Sequence, residues 1–323
     1  MNIRKAVITA GGRGIRLYPA WDTVQKAMLP FIDRDGLNKP AIQIIAEEAL
    51  DSGIEEICVV CAPGDETRYR ERFEALRNNL LAAYQGVDWA QKQEERLDNL
   101  LKRLHFATQE TPLGYGHAVY SAKRFVGKEP FLLLLGDHLY ISHIKGKRCA
   151  RQLIDLAIRE ECSVAAVQAT PEHLVRHYGT VGGKRESRIQ GVYYIERILE
   201  KPTLSQAELE LHVPGLRMGH YLCFFGMHVL NHTLFDILEE SINKIDDKQG
   251  EIQLTPALEE LARQEKYLAL ELKGFRYDIG ARFGLMKAQL ALALAGVDHD
   301  EALTELVALL AETKRCKIDE SGG

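Results

Sequence analysis

Glycines that close a short apolar run, with arginines and a lysine just behind them, can hold phosphate. Residues 11–26 read GGRGIRLYPAWDTVQK. Backbone N–H groups at Gly11, Gly12 and Gly14 can turn towards an anion. Arg13, Arg16 and Lys26 supply positive charge, and a guanidinium can grip two phosphate oxygens at once. The spacing is neither G-x-G-x-x-G nor a P-loop, so by themselves these glycines read rather as a tight turn with solvated basic neighbours. A second place is Asp137, directly after the run FLLLLG. A carboxylate past the C-terminal end of a buried strand lies where open α/β sheets bind ligands. Such an oxygen, together with substrate phosphates, suits Mg²⁺. Asp278, in FRYDIG, follows another strand-like run and is a candidate second ligand. Either aspartate could instead be a cap or turn residue.

Two further stretches carry polar groups in useful company. In QETPLGYGHAV, Gln109 offers both a donor and an acceptor to a base edge. Gly114 and Gly116 there would let a backbone approach a flat ligand closely. At Glu200-Lys201-Pro202 a lysine could meet a monophosphate and a glutamate could meet sugar hydroxyls. Read singly, these are an ordinary loop and a surface ion pair. The eleven histidines show no H-E-x-x-H spacing, and no G-x-S-x-G elbow is present. Of the six cysteines, Cys58 and Cys61 form one C-x-x-C inside an apolar run, with no second pair to complete a zinc site. Buried free thiols in a reducing compartment are the expectation.

These candidates need a scaffold, and the hydrophobic pattern describes one. Residues 6–10, 56–62, 104–108, 131–135 and 163–169 are short, nearly continuous apolar runs, as in strands covered on both faces. Helical segments are expected between them, at 40–52, twice within 65–103, at 116–125 and at 148–158. This strand–helix alternation predicts a parallel α/β sheet. Alternating β-branched and aromatic runs at 191–199 and 220–229 predict an antiparallel extension. Thr255-Pro256 reads as an N-cap followed by a first helical residue, 266–272 as a strand, and 282 onward as helix ending in a loose KIDESGG tail. With 46% hydrophobic residues, 323 residues suffice for a large core, and a formal net charge of −5 argues against a general nucleic-acid binder. No run is long enough for a transmembrane helix, and the N-terminal apolar stretch is too short for a signal peptide. A cytoplasmic protein is expected.

Taken in order, the four stretches resemble the nucleoside-diphosphate-sugar pyrophosphorylase family, in its bacterial UDP-glucose branch. The family's G-x-G-x-R-x-x-P is matched by residues 12–19, its lysine by Lys26, and its G-x-G-H-A-V by residues 114–119. Its Tyr-Gly-x-Val is residues 178–181, its Glu-Lys-Pro residues 200–202, and its E-I-Q-L-T residues 251–255. Its two metal-binding aspartates correspond to Asp137 and Asp278. The resemblance runs from residue 3 to about residue 292. It implies an α/β fold with a Rossmann-like, mixed, mostly parallel sheet flanked by helices. It also implies a single nucleotidyltransferase domain over 1–295, with a C-terminal helix and tail at 296–323.

The implied reaction makes UDP-glucose and pyrophosphate from UTP and glucose 1-phosphate. Gly11, Gly12, Gly14, Gln109 and Gly114 would bind the nucleotide. Gly179, Glu200 and Lys201 would bind the sugar phosphate, and Asp137 and Asp278 would hold Mg²⁺. Arg16, Lys26 and Lys201 would be catalytic. The implied partners are a nucleoside triphosphate, a sugar 1-phosphate and further copies of the same chain. The family usually has Thr at Ile15 and at Trp21, Pro at Gln25, and in this branch often Lys at Asp22. These departures favour, as the alternative, a catalytically weak paralogue that binds nucleotide or nucleotide sugar. Leu135-Gly136-Asp137 is similar to branches that use other bases, so another base or sugar 1-phosphate is the remaining alternative.

Overall fold

The computed structural model describes residues 1–12, 25–244 and 250–320. Thirteen strands are present among them: β1 Lys5–Thr9, β2 Pro30–Ile32, β3 Asn38–Pro40, β4 Glu56–Cys61, β5 Leu104–Thr108, β6 Phe131–Leu135 and β7 His138–Ser142, then β8 Ser163–Pro171, β9 Gly179–Arg185, β10 Val192–Glu200, β11 His220–Leu230, β12 Tyr267–Glu271 and β13 Gly274–Asp278. The α-helices are α1 Ala41–Leu50, α2 Asp65–Ala83, α3 Asp88–Arg103, α4 Tyr115–Tyr120, α5 Lys123–Val126, α6 Cys149–Glu160, α7 Leu204–Glu210, α8 Thr233–Asn243, α9 Leu254–Gln264, α10 Gly284–Leu294 and α11 His299–Glu320. The chain divides into two compact units, one of residues 1–12, 46–136 and 142–274, the other of residues 13–45, 137–141 and 275–323.

The larger unit is built on one nine-stranded sheet in the order β5-β4-β1-β6-β11-β8-β12-β10-β9. The first four of these strands run parallel, with Val7 opposite Cys58 on one side and Leu133 on the other. Strands buried on both faces must be apolar throughout, which is why β6 reads FLLLL. From β11 onward the pairing is mixed, antiparallel to β6 and β8 and parallel only between β8 and β12. The expected antiparallel extension is therefore present. Cys58 and Cys61 lie in β4 as buried free thiols, and burial pushes both up to about 12, so neither is a thiolate at neutral pH.

Three local expectations are corrected. The helix expected over 116–125 is two short helices, α4 and α5. At the break Ser121 Oγ donates to the His117 carbonyl at 3.0 Å, the local competition that serine offers a helix. Thr255 is not an N-cap: the cap residue is Gln253, and Thr255 lies inside the first turn with its hydroxyl given to Glu200. The C-terminal tail is helical as far as Glu320. No helix among the described residues is long and apolar enough to cross a membrane.

In the smaller unit β2 and β3 form a hairpin, and β7 pairs with β13. The hairpin is held by a buried charge cluster. Lys39, with a fully buried side chain, places Nζ 2.9 Å from Asp33 and 2.6 Å from Asp35. Burial would raise the Asp33 carboxyl, but the Lys39 charge and hydrogen bond, with Arg34, outweigh it and hold the group below its ordinary value. The Gln289 side chain of α10 accepts from Ile32 N at 3.3 Å, and Val297 N donates to the Arg34 carbonyl at 2.9 Å, so the helices tie onto the same hairpin.

Replacing Lys39 by Ala would strand a buried carboxylate and should destabilise the protein by about 3–5 kcal/mol in urea unfolding at neutral pH. Since Asp33 is more acidic folded than unfolded, its contribution is present above about pH 4 and lost as the pH falls through the folded value. The variant should lose that acid dependence. Gln25 gives the opposite expectation. Both polar atoms of its amide are buried without a hydrogen-bond partner among the described residues, and its φ of −63° is the angle proline imposes. Gln25→Pro should therefore stabilise by about 1 kcal/mol, seen as a higher denaturant midpoint.

Candidate active site

In the smaller unit the pairing of β7 with β13 brings two aspartates from distant parts of the chain together. Ile279 N donates to the Asp137 carbonyl at 2.9 Å, and Gly280 N donates to Asp278 Oδ1 at 2.8 Å. Lys26, opening a single 3-10 turn over Lys26–Met28, reaches the same place, with Nζ 3.4 Å from Asp137 Oδ2. The crowding is visible at Gly280. A side chain there would start 2.7 Å from Lys26 Nζ and 3.0 Å from both Asp137 Oδ2 and Asp278 Oδ1. Any other residue would make these three groups give way.

The next residue, His138, is also buried here, with Nδ1 2.8 Å from Asp137 Oδ1. Burial would raise the Asp137 carboxyl; hydrogen bonding and charge from His138, then Lys26, outweigh it and hold the group well below the carboxylate range. Asp137 is therefore ionised at neutral pH. One ligand atom each from Asp137, His138 and Asp278 lies within 4.8 Å of the others. Two converging carboxyl groups, one of them already drawing a lysine ammonium, are a set of residues that fits a divalent cation.

Two further groups of candidates lie in the larger unit. Gln109 extends the β4–β5 pairing, its N donating to the Cys61 carbonyl at 2.9 Å. Its amide nitrogen is already engaged, 3.1 Å from the Gly114 carbonyl and 3.2 Å from His117 Nδ1. Burial lowers the His117 pKa, against a hydrogen bond to the Thr111 carbonyl, so the ring is neutral at pH 7 and can accept from Gln109. This fixes the amide orientation and leaves Gln109 Oε1 facing Gly11, where a side chain would start only 3.4 Å away. Gly114, at φ +107°, and Gly116 have a nearer reason to be glycine than a ligand. Side chains there would start 2.8 and 2.9 Å from the Ile252 carbonyl, which Gly116 N also meets at 2.7 Å.

The third group sits where β9 begins and β10 ends, with Gly179 opposite Glu200. Thr255 donates to Glu200 Oε2 at 2.7 Å, and Lys201 Nζ is 3.4 Å from Glu200 Oε1. Lys201 has φ +45°, a strained conformation for a lysine, and its N donates to the Tyr178 carbonyl at 3.1 Å. Its ammonium remains largely exposed. A side chain on Gly179 would start 2.7 Å from the Phe224 ring and 3.1 Å from Glu200 Oε2. The run at 251–255 thus serves two places: its Ile252 backbone packs on the Gly114–Gly116 loop, and its Thr255 holds Glu200.

The structure therefore groups Lys26 with Asp137 and Asp278, Gly11 with Gln109 and Gly114, and Gly179 with Glu200 and Lys201. Gly12 faces open space. Gly14, Ile15, Arg16, Trp21 and Asp22 lie outside the described residues. Sequence reasoning missed His138 and His117, treating all histidines as structural. Direct adjacency to a strand-end aspartate was the available signal for His138.

Comparison with known proteins identifies the family. The family model described as nucleotidyl transferase matches residues 5–294. The UTP–glucose-1-phosphate uridylyltransferase of Streptococcus pneumoniae serotype 4 is 37% identical over 297 residues, covering 91% of each chain. A UDP-glucose pyrophosphorylase solved with UDP-glucose superposes with a TM-score of 0.70 at 29% identity, covering 90% of this chain and 98% of that one. A UTP-bound UGPase from Acinetobacter baumannii gives a TM-score of 0.72 at 27% identity, covering 95% and 99%. The mixed sheet, the collinear motifs and these relatives together establish that the chain belongs to the nucleotidyl transferase family, among chains similar to UDP-glucose pyrophosphorylases.

Proposed function

We propose that this protein transfers the uridylyl group of UTP to glucose 1-phosphate, releasing pyrophosphate and forming UDP-glucose. The observation that carries the reading is the convergence of Lys26, Asp137 and Asp278 around Gly280. A phosphate oxygen of the sugar phosphate forms a bond to the α-phosphorus of UTP, and the bond from that phosphorus to the pyrophosphate oxygen breaks. The nucleophile is already an anion, so no protein base is required. The task for the protein is to align the reactants and offset charge.

Mg²⁺ held by Asp137 and Asp278 would supply charge neutralisation on the phosphates. Lys26, with Arg16, would stabilise the leaving pyrophosphate. Exposed Lys201 would meet the phosphate of glucose 1-phosphate, with Glu200 and Gly179 against the sugar. Gly11, Gly12 and Gly14 would carry the nucleotide phosphates. Gln109 supports the choice of base. Its NH₂ is engaged within its own loop, so Oε1 is the group offered, and an acceptor matches the N3–H of uracil or thymine. Cytosine and adenine present a lone pair at the corresponding ring nitrogen and would be repelled. Five buried free cysteines support a reducing, cytoplasmic setting. Exposed Leu303 and Val307 on α11 support self-association into a homo-oligomer.

Pyrophosphate release from purified protein supplied with glucose 1-phosphate, Mg²⁺ and each of UTP, dTTP, CTP and ATP tests the reading. Turnover should be fastest with UTP, and Asp137→Ala and Lys26→Ala should each lower kcat by about 10²–10³-fold. No turnover with any nucleotide would reject it in favour of a silenced paralogue. Gln109→Leu should raise the KM for UTP by about 10–100-fold and narrow the preference for UTP over CTP. An unchanged UTP/CTP ratio would remove Gln109 from base selection.

A further inference from the structure

We propose that His138 is a third protein ligand to the divalent ion of this site, giving the ion a nitrogen donor beside two carboxylates and tilting the site from Mg²⁺ towards Mn²⁺. The inference rests on Asp137 and Asp278 being the metal-binding pair of the proposed nucleotidyl transfer.

Position and burial come first. His138 opens β7 directly after Asp137, and its side chain is 9% exposed. A polar ring so buried beside a carboxylate pair is not a solvated surface group. Geometry is the second argument. Octahedral bonds of about 2.1 Å put neighbouring ligand atoms about 3.0 Å apart and opposite ones about 4.2 Å apart. The 2.8 Å contact between His138 Nδ1 and Asp137 Oδ1 is a hydrogen bond that an incoming ion would replace, and one ligand atom from each of the three residues already lies within 4.8 Å of the others. Small side-chain rotations would bring the three onto one ion. Asp137 also divides its oxygens, Oδ1 towards His138 and Oδ2 towards Lys26. The histidine and the lysine thus approach the carboxylate through different oxygens.

The consequence follows from ligand chemistry. Mg²⁺ takes oxygen ligands almost exclusively, whereas imidazole suits first-row transition ions, whose affinities for nitrogen rise along the series from Mn²⁺. Two carboxylates alone would leave the site a magnesium site. An added imidazole raises the affinity for Mn²⁺ relative to Mg²⁺ and leaves the remaining positions for phosphate oxygens and water.

The test is pulsed electron paramagnetic resonance of the full-length protein with UTP and one equivalent of Mn²⁺. The expected result is the nitrogen modulation of a directly coordinated imidazole. His138→Asn should abolish it while Mn²⁺ remains bound, and should lower the Mn²⁺ over Mg²⁺ affinity ratio by about tenfold. Asp278→Asn should sharply weaken Mn²⁺ binding, placing the ion at this site. If His138→Asn fails to fold by circular dichroism, His138→Asp, which puts oxygen in place of nitrogen, serves instead with the same expectation. No nitrogen coupling in the unmodified protein, or a coupling that persists without His138, overturns the proposal, since His138 would then only orient Asp137. Uridylyl transfer without nitrogen coupling rejects this ligand and leaves the proposed function standing. Coupling without transfer does the reverse.

Discussion

The glycine between β6 and Asp137 is the constraint on which the candidate site depends. Gly136 N donates to the Thr9 carbonyl at 2.9 Å, and a side chain on Gly136 would overlap that oxygen and the Ala10 Cα. The end of β1 is therefore pressed against the end of β6, and only a residue without a Cβ can stand between them. Asp137 is the next residue, so this contact fixes where it leaves the sheet. Two candidate regions follow directly from these strand ends, the glycines after β1 and the aspartate after β6. They belong to the same fold feature, the C-terminal edge of adjacent parallel strands.

Close approach to a neighbouring segment recurs at four of the described motif glycines, Gly12 being open among the described residues. Gly280 leaves space for an ammonium and two carboxylates, Gly179 lies against Phe224 and Glu200, and Gly114 and Gly116 lie against the Ile252 backbone. A glycine taken for a ligand contact is in each case first a packing contact between protein segments. The two explanations are compatible. A loop that must lie within hydrogen-bond distance of a neighbour to hold its shape presents its remaining groups in fixed directions. Gln109 is the clearest example, since the groups that orient its amide nitrogen also determine what its oxygen offers.

Charge is organised on the same principle. The chain carries an overall negative charge while its proposed substrates are polyanions, so local arrangement has to supply the attraction. Lys26 and the carboxylates around Gly280 hold each other in place, and the hairpin beside them is anchored by Lys39 between Asp33 and Asp35. Asp137 remains ionised because His138 and Lys26 outweigh its burial. Lys201 contrasts with these groups: it is exposed, at a strained φ, and among the described residues is offset by Glu200. Such an arrangement leaves a positive group available to an incoming monophosphate.

The sequence by itself determined the parallel half of the sheet, because doubly buried strands must be continuously apolar and β1, β4 and β6 read that way, with β5 as a shorter run at the edge. It also determined the antiparallel extension, through the alternation in β10 and β11, and, through collinear motifs, the family. It did not identify the strand β7 or its pairing with β13, which has no periodic signature, and so it did not bring His138 to the two aspartates. Nor could it tell that Thr255 holds Glu200 instead of capping a helix. Those facts depend on contacts between segments far apart in the chain. Spacing along a sequence reports local geometry, whereas a side chain's partner is decided by which distant backbone the fold brings within hydrogen-bond reach.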